Sequence, residues 1–163
     1  MDAKYTYDST SATVTLTFKQ RTPSTPGQPE TSKLPVVIPV LVGLLSRASG
    51  KEILSTQMLK FTEAEQSFTL SGVSEEPVVS LLRDFSAPVR LNFPQTDEDL
   101  AFLMSYDTDA FNRWDAANRL STKVILSLAS LPLAEVDTAE VPPFYLEALR
   151  KVIEQAKVSE RLR

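Results

Sequence analysis

The sequence holds neither histidine nor cysteine in 163 residues. Those two absences exclude more chemistry than anything else in it. Zinc sites of the usual kind need imidazole or thiolate ligands, so this chain cannot build one alone. Serine triads and cysteine–histidine pairs fall for the same reason, and disulfides are ruled out. Acid–base work would be left to Asp, Glu, Lys or Tyr. Glycine is scarce as well, with four residues and none after Gly72, and Trp114 is the only tryptophan. No long apolar run is present. The longest, "LPVVIPVLVGLL" (Leu34–Leu45), is too short to span a bilayer and is broken by Pro35, Pro39 and Gly43. It reads as a buried strand. The opening "MDAKYTYDST" has no apolar core and is not a signal peptide. A cytoplasmic location is expected, with no membrane partner.

Charge excludes a further class. Twenty-one acidic against seventeen basic residues give a net charge of −4, with no basic cluster to track a nucleic-acid backbone. The glycine-rich phosphate and dinucleotide loops and the nucleophile elbow are missing. Three features invite a functional reading, and each has a plainer one. Asp107 and Asp109 could face a cation, yet an acid ahead of an apolar run reads as a helix cap. Asp97, Glu98 and Asp99 could be general acids, yet a first helical turn favours acids. Arg113 beside Trp114 could clamp a carboxylate, yet an ion pair within the chain or between domains accounts for it.

What is present falls into two halves. All four glycines and eight of eleven prolines lie at or before Pro94. That shift divides residues 1–94 from residues 95–163. In the first half "TVTLTFKQ" alternates strictly, with Val14, Leu16 and Phe18 on one side and threonines on the other. Period two with β-branched residues predicts a strand with one wet face. "QSFTLSG" repeats the pattern, and shorter strands are expected at Lys4–Tyr7, Val36–Leu41, Met58–Phe61, Val78–Leu82 and Val89–Phe93. Seven short strands predict an antiparallel sandwich. Pro39 calls for an edge or a bulge. The stretch Arg21–Lys33, rich in proline, reads as a rigid connection.

The second half predicts three helices. Thr96 caps the first, which is apolar nearly all round and should be buried on several sides. Asp109 caps the second. Ala110, Trp114, Ala117, Ser121, Val124, Leu128 and Leu131 trace its apolar face at helical spacing, placing Trp114 on the packing side. Asp109–Arg113 and Asp115–Arg119 stand acid-first at i, i+4. Pro132 ends that helix and Pro143 sits in the first turn of the third, whose stripe is Tyr145, Leu149, Val152, Ile153 and Ala156. The fold class is thus an all-β immunoglobulin-like sandwich followed by an α-helical segment.

Four segments carry a resemblance: "FKQRTPSTPGQ" (Phe18–Gln28), "LPVVIPVLVGLL", "PVVSLLRDFSAPVRL" (Pro77–Leu91) and "DEDLAFLMSYDTDAFNRWDAANRL" (Asp97–Leu120). Through them residues 5–128 resemble the bacterial-type aminopeptidase N family of zinc-dependent alanyl aminopeptidases. The resemblance implies an interior fragment of such an enzyme. Residues 1–94 would be the sandwich that links domains, and residues 95–163 the first three helices of a truncated helical cap. Zinc would belong to the parent and not to this chain, and no catalytic, cofactor-binding or metal-binding residue carries over. The expected role is structural: to join the catalytic domain to the cap, with peptide substrates met only through the parent. Phe85, Phe111, Arg113 and Trp114 are the candidates for packing between domains. The chain alone is also expected to self-associate through Tyr145, Leu149 and Val152. A different reading is a free-standing β-sandwich interaction module with a helical tail, using residues 34–45 as its partner strand.

Overall fold

The computed structural model describes residues 1–136 and 138–161; the side chains of 133 and 157–161 are outside the description. The chain divides into two compact units, Met1–Pro94 and Gln95–Arg163.

The first unit is a sandwich of two three-stranded antiparallel sheets. One has the order β1 (Asp2–Asp8), β2 (Thr13–Lys19), β5 (Glu65–Ser71). The other has the order β4 (Glu52–Phe61), β3 (Ile38–Ser46), β6 (Pro77–Leu81). The alternation in β2 sets one layer of the core. Val14, Leu16 and Phe18 are fully buried and pack with Val40, Val42, Leu44, Leu59 and Phe61 of the other sheet in a single cluster. The Phe18 and Phe61 rings meet at 5.8 Å across the layers. The opposite face of β2 is a hydroxyl ladder, with Thr15 to Thr69 at 3.1 Å and Thr17 to Ser67 at 2.9 Å. One strand therefore has a dry face and a wet one, as its period requires.

Two expectations about the sandwich are corrected. The apolar run does not form a strand from its start. Leu34, Val36 and Val37 are exposed, and the strand begins at Ile38. The cause is local: Gln20 takes Val36 out of any ladder, its Oε1 accepting from the Val36 N–H and its Nε2 donating to the Val36 carbonyl, both at 2.9 Å. Val89–Phe93 is not a seventh strand. It makes only a parallel bridge, Asn92 to Asp2, with Ala3 N–H donating to the Asn92 carbonyl at 2.9 Å. Pro88 and Pro94 stand at either side of this short segment and supply no donor to lengthen it. Pro39 lies in the central strand, where its missing donor has an explanation. The Leu41 N–H donates to Ser86 Oγ, away from β4, and Pro39 is two residues earlier with the same orientation. Pairing to β6 begins only at Val42. At Pro39 the strand has one neighbour, and its pairing with β4 shifts register further along, between Val42 and Leu45.

The second unit is helical: α1 (Asp97–Tyr106), α2 (Ala110–Ala129), the short α3 (Leu133–Val136) and α4 (Pro143–Arg161). Among the described residues there are thus four helices in place of three, the additional one lying in the expected polar link. Thr96 and Asp99 form a reciprocal capping box at the start of α1. Leu100 through Ser105 are all buried, as a helix apolar all round demands, and α1 packs against both α2 and α4. The seam of α2 is Ala116, Leu120 and Val124, not the stripe led by Trp114. At about 100° per residue Trp114 stands roughly 120° from the middle of that seam. On α4, Tyr145, Leu149 and Val152 are half-buried around buried Ala148, and Tyr145 Oη meets Ser121 Oγ at 2.9 Å. They are thus partly covered within the unit. Leu146 and Ile153 are large apolar residues of that helix that are exposed.

Candidate functional site

Within the sandwich, the least ordinary backbone follows β6. Leu82, Asp84 and Phe85 adopt left-handed conformations with φ of 56°, 56° and 49°. Each is uncommon outside glycine, and three among four residues mark a turn held by its surroundings. The support is Arg83, only 4% exposed. From the end of β6 its side chain runs back across the sheet. It passes over β3 at Gly43 and ends on β4, where Nη1 donates to Glu52 Oε1 at 2.7 Å and to Thr56 Oγ1. The crossing requires glycine: a methyl at Gly43 would sit 2.6 Å from Nη1 and 2.7 Å from Cζ. One side chain therefore straps all three strands of this sheet. Ser86 adds a second tie by accepting from the Leu41 N–H. Phe85, carried on this turn, is 56% exposed. Phe85 is among the candidates legible in the sequence, and Arg83 is not. The available signal was Gly43, isolated in an apolar strand, where a missing side chain usually marks a close approach.

In the helical unit the remaining candidates lie at the start of α2. Asp109 Oδ1 accepts from the Asn112 N–H at 2.8 Å and Asp107 Oδ1 accepts from the Asp109 N–H at 2.9 Å. Both acids are used as caps. The geometry brings Phe111 and Trp114 together, their rings 5.8 Å apart, with exposures of 41% and 60%. Arg113 points elsewhere. Its Nε donates to the Met104 carbonyl at 3.3 Å and its Nη2 to Gln155 Oε1 at 2.6 Å, while Gln155 Nε2 donates to the Ser105 carbonyl. Arg113 therefore ties α1, α2 and α4 together. Asp97 pairs with Lys123, and Lys151 lies 4.9 Å from the Tyr106 ring centre. Hydrogen bonding to Tyr106 and Glu147 raises the Lys151 ammonium above its usual range.

Two clefts among the described residues lack the makings of an active site. A space of about 170 Å³ lies in the proline-rich connection beside Gln20, Arg21, Glu30 and Lys33. It is smaller than the roughly 300 Å³ at which ligand pockets usually begin. Its two strongest charges satisfy each other, Arg21 Nη2 donating to Glu30 Oε2 at 2.8 Å. This pairing lowers the Glu30 carboxyl below its usual range. An open groove of about 480 Å³ runs along one flank of α4 past Leu146, Arg150 and Glu154. Among the described residues there is no group of three or more His, Cys, Asp or Glu able to hold a metal ion. The donor set does not fit zinc. No described helix is long and apolar enough to cross a membrane.

With the geometry in place, likeness to known proteins is informative. Residues 1–94 match the family model DUF3458, described as a domain of unknown function with an Ig-like fold. Residues 97–163 match DUF3458_C, described as a domain of unknown function with ARM repeats. Aminopeptidase N of Escherichia coli (strain K12) is 36% identical over 156 residues, covering 91% of this chain and 17% of that protein. Aminopeptidase N of Haemophilus influenzae is 33% identical over 153 residues, 90% of this chain and 17% of that protein. The crystal structure of Legionella pneumophila aminopeptidase A in complex with aspartic acid superposes with a TM-score of 0.73 at 26% identity. It covers 94% of this chain and 16% of that one. The chain thus spans a minor part of the length of each relative.

Proposed function

The chain belongs to the DUF3458 family, and on that footing we propose that it is a non-catalytic linking region of a zinc aminopeptidase. In this reading residues 1–94 are the sandwich that spaces a catalytic domain from a helical cap, and residues 95–163 are the first helices of that cap. The observation that carries it is the 36% identity to aminopeptidase N across 91% of the chain, in a sequence with no His or Cys. The parent would remove N-terminal residues from peptides in the cytoplasm, with zinc held entirely by other residues. What this chain contributes is geometry: rigid spacing that controls access to the enclosed site. Phe85, Phe111 and Trp114 are the residues we assign to junctions between domains, because exposed aromatics are favoured anchors at interfaces. Arg113 joined them as a sequence candidate, and in this proposal it acts one step back, by fixing the helices that carry Phe111 and Trp114.

The test uses the parent enzyme and the chain side by side. The 163 residues alone are expected to bind no stoichiometric zinc and to leave an alanyl chromogenic substrate intact. Phe85→Ala and Trp114→Ala in the parent are expected to lower activity while zinc content stays at the wild-type level. Turnover by the isolated chain, or parental activity untouched by both substitutions, overturns the reading. The interaction-module alternative is not favoured, since the family match and the aminopeptidase identity run through the sandwich and the helices alike.

A further inference from the structure

We propose that Arg83 is a positioning residue: a cross-sheet latch whose seat on Gly43 holds the turn 82–86 in the backbone conformation that presents Phe85. Four observations converge. The turn contains three left-handed residues that are not glycine, a conformation that does not persist without support. The intervening Arg83 is almost wholly buried, and its guanidinium spans from β6 to Glu52 and Thr56 on β4. The passage between them is open only because residue 43 lacks a side chain. Ser86, at the far end of the turn, is fastened to β3 through Leu41. The turn is thus pinned on both sides of Phe85, at Arg83 and at Ser86.

The chemistry of the latch is specific to arginine. A guanidinium is flat and can lie on a bare backbone while its Nη1 donates to a carboxylate and a hydroxyl together. An ammonium keeps the charge and loses the flat contact. Glu52 makes the buried cation tolerable by pairing with it at 2.7 Å. The latch deepens the linking role proposed above, and it is read independently of it: the backbone of residues 82–90 reports on the latch, whereas parental activity reports on the junction.

The experiment is hydrogen exchange with mass spectrometry on the whole 163-residue chain. The variants are Gly43→Ala, Arg83→Met, Arg83→Lys and the double variant Gly43→Ala/Arg83→Met. Gly43→Ala and Arg83→Met are each expected to speed exchange in residues 82–90 at least tenfold, with β2 unchanged. Once Arg83 is gone the added methyl has room, so the double variant should exchange within twofold of Arg83→Met alone. Arg83→Lys should fall between wild type and Arg83→Met. An equal Gly43→Ala effect with and without Arg83 overturns the latch, as does unchanged exchange in 82–90. Full recovery by Arg83→Lys overturns the requirement for a flat group. Loss of protection in β2 as well reports general destabilisation and counts against the proposal. Unchanged activity of a Phe85→Ala parent alongside a confirmed latch would remove the junction role and leave the latch standing.

Discussion

Truncating Trp114 should cost little in this chain and much in the parent enzyme, and the difference measures the junction. A fully buried tryptophan hides up to about 250 Å². At 60% exposure Trp114 keeps roughly 100 Å² of that covered, partly by Phe111. At about 25 cal/mol per Å² the covered area corresponds to at most about 2.5 kcal/mol. A realistic unfolded chain already hides part of that area, which lowers the figure to about 1.5 kcal/mol. Alanine returns about 0.5 kcal/mol through its better helix propensity. Trp114→Ala in the isolated chain should therefore cost about 1 kcal/mol. Leu120 is fully buried in the α2 seam, and Leu120→Ala should cost roughly 2–5 kcal/mol. If a neighbouring domain covers Trp114 in the parent, the tryptophan substitution there approaches the roughly 3–5 kcal/mol of a core position. The assay is native-state hydrogen exchange of α2 amides, which reads local opening free energies in both proteins on one scale. If Trp114→Ala matches Leu120→Ala in the isolated chain, the seam has been assigned to the wrong side of α2. If the cost stays near 1 kcal/mol in the parent, Trp114 does not lie at a junction.

Arg113→Ala should behave in the opposite way. Its partners Met104 and Gln155 are within the helical unit, so the α2 opening energy should fall by a similar amount, about 1–3 kcal/mol, in chain and parent alike. Thr96→Ala removes the capping box of α1 and should cost about 1 kcal/mol, seen as faster exchange at residues 97–100. Tyr145→Phe deletes the hydroxyl contact to Ser121 and should lower the midpoint of α4 unfolding by the equivalent of about 0.5–1.5 kcal/mol. The Arg21–Glu30 pair gives a pH signature. The Glu30 carboxyl is depressed in the folded state, so its contribution is present above the unfolded glutamate range and is lost as pH falls through the lower folded value. Proteolysis within residues 22–33 by an acid-active protease should accelerate over that fall. Glu30→Gln should flatten the dependence, and added salt should weaken it because both partners face solvent.

Much of the sandwich was legible because its signals are short-range. The alternation of β2 is a local pattern, and the structure places Val14, Leu16 and Phe18 inside as the period requires. The caps at Thr96 and Asp109 were legible for the same reason: a cap is a contact across three residues. Where the reading went astray, a distant residue had decided the outcome. The extent of β3 depends on Gln20, eighteen residues before Ile38, which holds Val36 out of the ladder. The additional helix, α3 (Leu133–Val136), lies in a stretch that carries no apolar period of its own.

Trp114 shows how this bears on function. Its size and its spacing to Ala117, Ser121 and Val124 fit a buried stripe. The phase of α2 is instead fixed by smaller residues, Ala116, Leu120 and Val124, that bring the helix close to its neighbour. An aromatic pair left outside such a seam is expensive to keep in water and is of little use to the unit that carries it. Arg83 is the counterpart. A buried cation and a run of left-handed residues add strain to a sandwich that already has a continuous core around Phe18 and Phe61. Neither feature is explained by the stability of its own unit. Both fit the proposed placing of an aromatic side chain for a neighbouring domain. In the proposed linking role, a chain without His or Cys acts on its parent through the direction in which a few rings are held.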